Sequence, residues 1–220
     1  MTKPFFYLKL TYMAESSIET KKKLLESAKK EFLEKGFIGA SLRTIAANAG
    51  VTTGAMYRHF KDKDAFFCAL VDEAIEVTKK VVMLADSKNH ENLTPKKMSE
   101  HISFEKKSTE KFLDYMYENF DAFTLLLTKS SGSTHERFQE DICELYTENC
   151  KKTFDLMYEQ KIASKHVSPM TIHFMASTVI NAFCDIILHN IPKKDAGEYI
   201  ADIMEFTSSG MYVLLGIEMP

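Results

Sequence analysis

Glycine and proline are scarce in this chain, eight and five among 220 residues, and tryptophan is absent. An all-β fold of this length would need many turns, and turns draw on those two residues above all. Long runs of Leu, Met, Lys, Glu and Phe stand in their place, so a mostly helical protein is expected. Cysteine is also sparse: Cys68, Cys143, Cys150 and Cys184 form no C-x-x-C pair and have no histidine at ligand spacing. Each lies in an apolar helical context, which reads as reduced, buried thiols in a cytosolic protein. His90, His101, His135, His166, His173 and His189 are scattered, without H-x-x-x-H or H-E-x-x-H spacing, so no metal and no cofactor is expected.

Also missing are the sequence marks of an enzyme. There is no G-x-S-x-G, no Walker loop and no glycine-rich dinucleotide fingerprint, and paired carboxylates such as Glu140 and Asp141 read as a solvated helix face. A membrane span is not expected either, since a crossing helix needs roughly 20 apolar residues. Residues 4–12, PFFYLKLTY, are apolar but short, interrupted by Lys9 and without a small-residue cleavage pattern. Met13 followed by Ala14 would be a natural start, so residues 1–15 read as an N-terminal extension, with the first twelve outside the fold.

What is present is enough for a packed core, with 45% apolar residues. The net charge of −3 hides an asymmetry. Residues 16–64 carry ten Lys or Arg against six Asp or Glu, while residues 65–220 carry 16 against 24. A basic first quarter on an acidic body suits a protein that offers one end to a polyanion.

The stretch Arg43 to Lys63, RTIAANAGVTTGAMYRHFKDK, explains that asymmetry. Ser41 is a good N-cap, and Leu42, Ile45, Ala46 and Ala49 follow at helical spacing. Gly50 stands where a chain leaving a helix needs a left-handed backbone, and the small Ala46 lets a second helix cross closely. Thr52 or Thr53 can cap that second helix, whose Val51, Met56 and Phe60 point inward while Thr53, Gly54, Tyr57, Arg58 and His59 face out. The pattern is a helix-turn-helix. Before it, a bracing helix over Ser17 to Lys35 is expected, with Ser16 and Glu19 as capping box, Leu24, Leu25, Ala28 and Phe32 as apolar stripe and Gly36 as stop. Phe37 and Ile38 are expected to close the small core over Ile45 and Met56. Asp62 caps a longer helix that runs to about Ala85.

From Leu24 through Leu70 the segment resembles the DNA-binding domain of the TetR/AcrR transcriptional regulators. The residues that carry the likeness are Phe32 and Gly36, Ile45-Ala46, Ala49-Gly50-Val51, then Gly54, Tyr57, Phe60 and Lys63. The resemblance implies an all-α chain with an N-terminal three-helix DNA-binding domain, residues 16–64, and a larger helical ligand-binding and dimerisation domain, residues 65–220. It implies that Arg43, Thr53, Gly54, Ala55 and Arg58 face bases, while Tyr57, His59 and Lys63 hold phosphates. Chemistry agrees: an arginine can pair bidentately with guanine, and Lys63 places a point charge at a helix N-terminus. The implied partners are a double-stranded palindromic operator, a second copy of the chain and a small-molecule effector, in the cytoplasm.

In the body, Asn89 to Pro95 reads as a loop and Met98 to Phe120 as one or two helices. A short helix over Phe123 to Leu127 follows, capped by Asp121; Lys129 to Thr134 is a loop. A long helix through Phe138, Ile142, Leu145 and Leu156 comes next. Ser168-Pro169 opens a helix to about His189, and a last helix covers Asp195 to Leu215. Those two helices carry more apolar surface than one core face uses: Ile172, Met175, Val179, Ala182, Phe183, Ile186 and Ile187, then Tyr199, Ile200, Ile203, Phe206, Met211, Val213 and Leu214. With the resemblance, they read as a two-fold interface. Candidate effector contacts are the apolar and aromatic Phe112, Tyr115, Met116, Phe120, Phe154, Met157 and Phe174, with His173 and Asn181 as polar anchors. An adaptor that keeps the helix-turn-helix but answers to a protein partner is the alternative reading.

Overall fold

The computed structural model of the chain describes the backbone of residues 4–87 and 95–217 and the side chains of 17–83 and 107–217. Among the described residues the chain is helical, with no strand. Helix α1 spans Pro4–Gly39, α2 Leu42–Asn48, α3 Thr53–Met56, α4 Lys63–Ser87 and α5 Pro95–Glu118. Then come α6 at Phe120–Thr124, a π-helical turn at Leu125–Lys129, α7 at Phe138–Glu159, α8 at Pro169–Leu188 and α9 at Lys193–Leu215. Contacts divide the chain into two units, one of Met1–Glu73 with Thr128–Glu136, the other of Ala74–Leu127 with Arg137–Pro220.

In the first unit α1 starts earlier than its capping-box pattern suggests. The backbone is already helical at Pro4, because proline is accepted in a first helical turn and nothing after it before Gly36 breaks a helix. The segment expected to lie outside the fold therefore continues α1 from Pro4 onward, while residues 1–3 lie outside the described residues. Gly36 does interrupt the helix, at φ 70° and ψ 171°, a region that only glycine occupies at low cost. Beyond it Phe37 turns inward, but Ile38 is 71% exposed. Residues one apart on a helical turn cannot share one inner face, and the aromatic ring takes it.

The core of this unit is Leu24, Ala28 and Phe32 from α1, Ile45 from α2, Met56 from α3 and Phe66, Phe67 and Val71 from α4, all fully buried. Phe67 meets Phe32 and Phe37 edge-on, with ring centroids 5.4 and 5.5 Å apart. Phe60 stacks on Phe66 at 3.9 Å. The sequence reading ended this domain at residue 64, whereas by contacts the unit runs nine residues further into α4 and takes in Thr128–Glu136. Asp64 accounts for part of this. It accepts hydrogen bonds from the Thr134 amide and hydroxyl, and these, with the Cys68 thiol and His135, outweigh burial and hold its carboxyl below the usual range.

In the second unit α8 lies between α7 and α9 and buries Ile172, Ala176, Val179, Ile180, Ala182, Cys184, Ile186 and Ile187. Ser168 caps it with proline at the first position, as its sequence suggests. Polar ties fix the neighbours: buried Asn149 of α7 donates to the Val82 carbonyl of α4, Tyr117 of α5 donates to the Ile191 carbonyl, and Lys193 pairs with Asp114 at 2.8 Å. Asn119, not Asp121, precedes α6, and Asp121 sits in its first turn. The loop expected over 89–95 falls outside the described residues up to 94; α5 is one helix from Pro95, where the sequence left one or two open.

The apolar excess on the last two helices is real; on α9 three of the expected residues carry it, and on α8 others do. Ile172, Val179, Ala182, Ile186, Ile187 and Ile200 are buried within the chain. What stays outside is Met170, Phe174 and Leu188 on α8 and Phe206, Val213 and Leu214 on α9. By length and composition α8 would also pass for a membrane span. Its burial between α7 and α9 accounts for the same apolar residues as core.

Candidate nucleic-acid interface and effector pocket

The helix-turn-helix is built by caps that its own residues supply. Ser41 is extended, at φ −114° and ψ 119°, and its hydroxyl accepts from the Thr44 amide, while the Glu31 carboxylate accepts from the Ser41 amide. Ser27 of α1 donates to the Ile45 carbonyl at 2.9 Å, pinning α2 to the brace. At the turn Gly50 has φ 70°; its amide reaches the Ala47 carbonyl and that of Val51 reaches Ala46. These are the paired bonds of a helix end closed by a left-handed residue, so glycine is needed there. Thr52 then caps α3, accepting from the Ala55 amide at 3.2 Å. Regular helix stops at Met56, and a tighter turn carries the chain through Arg58, His59 and Phe60.

This construction sorts the candidate contacts. Met56 and Phe60 are buried, and Thr53, Gly54, Tyr57 and Arg58 are exposed. Ala55 and His59 are half-buried at the edge. Arg43 is exposed on α2, and neither it nor Arg58 has a carboxylate partner among the described residues. Gly54 has no intramolecular reason to be glycine: its backbone is helical and an added Cβ would meet nothing within 4 Å. A bare backbone on an open, cationic surface suits close approach by something outside the chain.

Lys63 has a duty that the sequence did not suggest. Its Nζ donates to the carbonyls of Ile38 and Ala40, at 3.1 and 3.2 Å, and lies 4.8 Å from the centre of the Phe37 ring. Two of its three donors thus satisfy carbonyls left open where α1 ends. It is a structural strut first, with one donor to spare.

The candidate effector residues do not form one site. A cavity in the second unit leaves about 100 Å³ for the centre of a water-sized molecule to move in. It is lined by Thr78, Val81 and Val82 of α4, Ser108, Thr109, Phe112 and Met116 of α5, and Phe123 and Leu127. Phe138, Gln139, Ile142 and Tyr146 of α7, Val179, Ile180, Phe183 and Cys184 of α8, and Met204 of α9 complete it. Of the expected contacts only Phe112 and Met116 belong to it. Tyr115 packs edge-on against Phe123, and Phe120 stacks on Tyr117. Phe154 and Met157 belong to a separate core with Ala163, Ile172, Tyr212 and Leu215. His173 and Phe174 are exposed, and Asn181 is exposed while accepting from the pocket residue Gln139. No lining residue carries a charge. Burial pushes the Cys184 thiol up to about 12, so it too is neutral.

The geometry defines a class: an all-helical protein with a helix-turn-helix in one unit and a neutral cavity in the other. Comparison places the motif. Residues 24–70 match the family model described as bacterial regulatory proteins, tetR family. Solved structures share the fold over most of the chain. SmeT, the repressor of the Stenotrophomonas maltophilia multidrug efflux pump SmeDEF, is 17% identical, with 87% of this chain and 91% of that one covered and a TM-score of 0.61. A SmeT–triclosan complex is 14% identical over 87% and 90%, with a TM-score of 0.60. NalD, the secondary repressor of the MexAB-OprM multidrug efflux pump in Pseudomonas aeruginosa, is 20% identical over 86% and 96%, with a TM-score of 0.55. Residues 24–70 thus match the tetR-family model, and the chain shares the fold of these solved regulators.

Removing the Lys63 amine tests its structural duty without DNA. Lys63→Ala should lower the stability of the free protein by about 1.5–3 kcal/mol, the range for hydrogen bonds to a charged group. Urea unfolding followed by circular dichroism measures it, and an unchanged midpoint would leave Lys63 with no role in holding α1.

Proposed function

We propose that the chain is a homodimeric repressor that reads a palindromic operator and is released by a neutral, lipophilic small molecule. The observation that carries the DNA reading is the surface of the motif: exposed Arg43 and Arg58 without carboxylate partners, beside Thr53, Tyr57 and a Gly54 that the fold does not require. Arg58 and Arg43 read base edges, helped by Thr53, Gly54 and Ala55. Tyr57, His59 and the remaining donor of Lys63 hold phosphates and fix the register. Two such motifs related by a two-fold axis would enter major grooves about 34–36 Å apart. The exposed Met170, Phe174, Leu188, Phe206, Val213 and Leu214 on α8 and α9 provide apolar surface for that pairing. The cytoplasm is the compartment where such a protein meets the chromosome.

The effector reading rests on the cavity. Its lining is aliphatic, aromatic and hydroxylic without charge, so an ion would enter it unpaired and at high cost, whereas a flat neutral molecule would not. The SmeT–triclosan structure gives a relative of the same fold a ligand of that character. Relief of repression then requires the ligand to prefer the state that does not bind DNA, with a coupling of about 1–3 kcal/mol as a typical value.

Purified protein mixed with genomic fragments at moderate salt should enrich specific sequences over random DNA; equal recovery of both would defeat the repressor reading. Arg58→Ala should weaken operator binding about 5- to 150-fold in fluorescence anisotropy and relax discrimination, whereas Tyr57→Phe should weaken all sequences alike. Phe206→Glu, at a side chain 68% exposed, should leave the monomer folded and convert a dimer to monomer in light scattering. Ser108→Phe places a ring in the cavity: DNA affinity should persist while release by a hydrophobic ligand is lost.

A further inference from the structure

One cluster in the first unit has no part in DNA or effector binding. Asp64, Cys68 and Asp72 recur every fourth residue along α4 and so share one face. The segment Thr128–Glu136 brings His135 to that face. Its Nε2 lies 3.0 Å from Asp72 Oδ1 and 3.5 Å from Cys68 Sγ, and the ligating atoms of Cys68, Asp72 and His135 all fall within 4.8 Å of one another. Asp64 Oδ2 is 3.5 Å from the same sulfur.

We propose that Cys68, Asp72 and His135 form a binding site for a divalent transition-metal cation of the zinc type. Tetrahedral zinc with a thiolate at about 2.3 Å and an imidazole at about 2.0–2.1 Å separates sulfur from nitrogen by about 3.5 Å. That matches the spacing of Cys68 and His135, and metal entry would replace the 3.0 Å hydrogen bond between His135 and Asp72. One thiolate, one imidazole and one carboxylate form a donor set that suits zinc and excludes magnesium or calcium. The site is also preorganised. Thr134, the residue before His135, is bonded to Asp64 by both its amide and its hydroxyl, and the His135 amide donates to Ser133 Oγ. A fourth position is left to water or to Asp64.

Charge points the same way. Asp64 Oδ2 lies 3.5 Å from Cys68 Sγ and Asp72 belongs to the same cluster, so a divalent cation would balance two neighbouring carboxylates. It would take the electron pair of Sγ and displace the thiol proton to solvent, while His135 would bind as the neutral imidazole. The cation would join α4 to the segment 128–136 within the first unit, alongside the Asp64–Thr134 bonds.

The test uses the full chain, reduced and stripped by chelator, titrated with Co2+ as a spectroscopic stand-in and with Zn2+ against a chromophoric chelator. One Co2+ per chain is expected, with a thiolate-to-cobalt charge-transfer band and d–d absorption of tetrahedral intensity, both bleached by Zn2+. Cys68→Ala and His135→Gln should each weaken Zn2+ binding on the order of 100-fold or more, since even an outer partner of a ligand is worth about 10- to 100-fold. Cys150→Ala, outside the cluster, should change nothing. Circular dichroism establishes that each variant is folded, and either ligand variant alone suffices for the comparison. Absence of the charge-transfer band, or equal affinity in the wild type, Cys68→Ala and His135→Gln, would overturn the proposal.

Discussion

Phe67 touches both Phe32 and Phe37, and on that three-ring contact the presentation of the whole helix-turn-helix depends. A four-residue α3 has no stability of its own, because a helix that short cannot repay its nucleation. It holds its shape because Met56 and Phe60 are seated in a core whose walls are α1, α2 and α4. Edge-on aromatic pairs add about 0.5–1.5 kcal/mol each to the area they bury, and they favour particular angles. The rings therefore set the angle of the brace against α4 as well as its distance. Lys63 finishes the arrangement by closing the carbonyls where α1 gives out.

The helix-turn-helix was legible in the sequence because its determinants are local. Ser41, Gly50, Thr52 and Asp62 each act within a few residues of their own position, and each does in the structure what its type and place suggest. The pocket was not legible, since its lining is gathered from α4 to α9 and an apolar periodicity looks the same whether it faces a core or a void. Phe154 and Phe112 have the same kind of sequence surroundings, yet one fills a core and the other lines a cavity. The same holds for α8: the stripe of Val179, Ala182 and Ile186 looked like excess because nothing local announces α7 as its cover.

Long separation also hid the pairing of Cys68 with His135. A search for ligands by spacing sees neighbours along the chain, and these two stand 67 residues apart. The sequence reading took all four thiols as buried and found no metal pattern; Cys68 and Cys150 are only half-buried, and Cys68 has an imidazole beside it. The signal that did exist was the recurrence of Asp64, Cys68 and Asp72 at steps of four, which places three donors on one helical face. Lys63 was legible only in part. Its family position and charge suggested phosphate, and only the carbonyls of Ile38 and Ala40 show how much of its bonding capacity is spent inside the protein.

Cys184 sets a limit on the kind of chemistry that the cavity can support. A thiol that ionises only near pH 12 offers almost no thiolate at neutral pH, and the thiolate is the nucleophile. Under the proposed effector reading, a neutral thiol in the wall favours reversible occupancy over adduct formation, so a cell using the protein would read a present level and keep no record of past exposure.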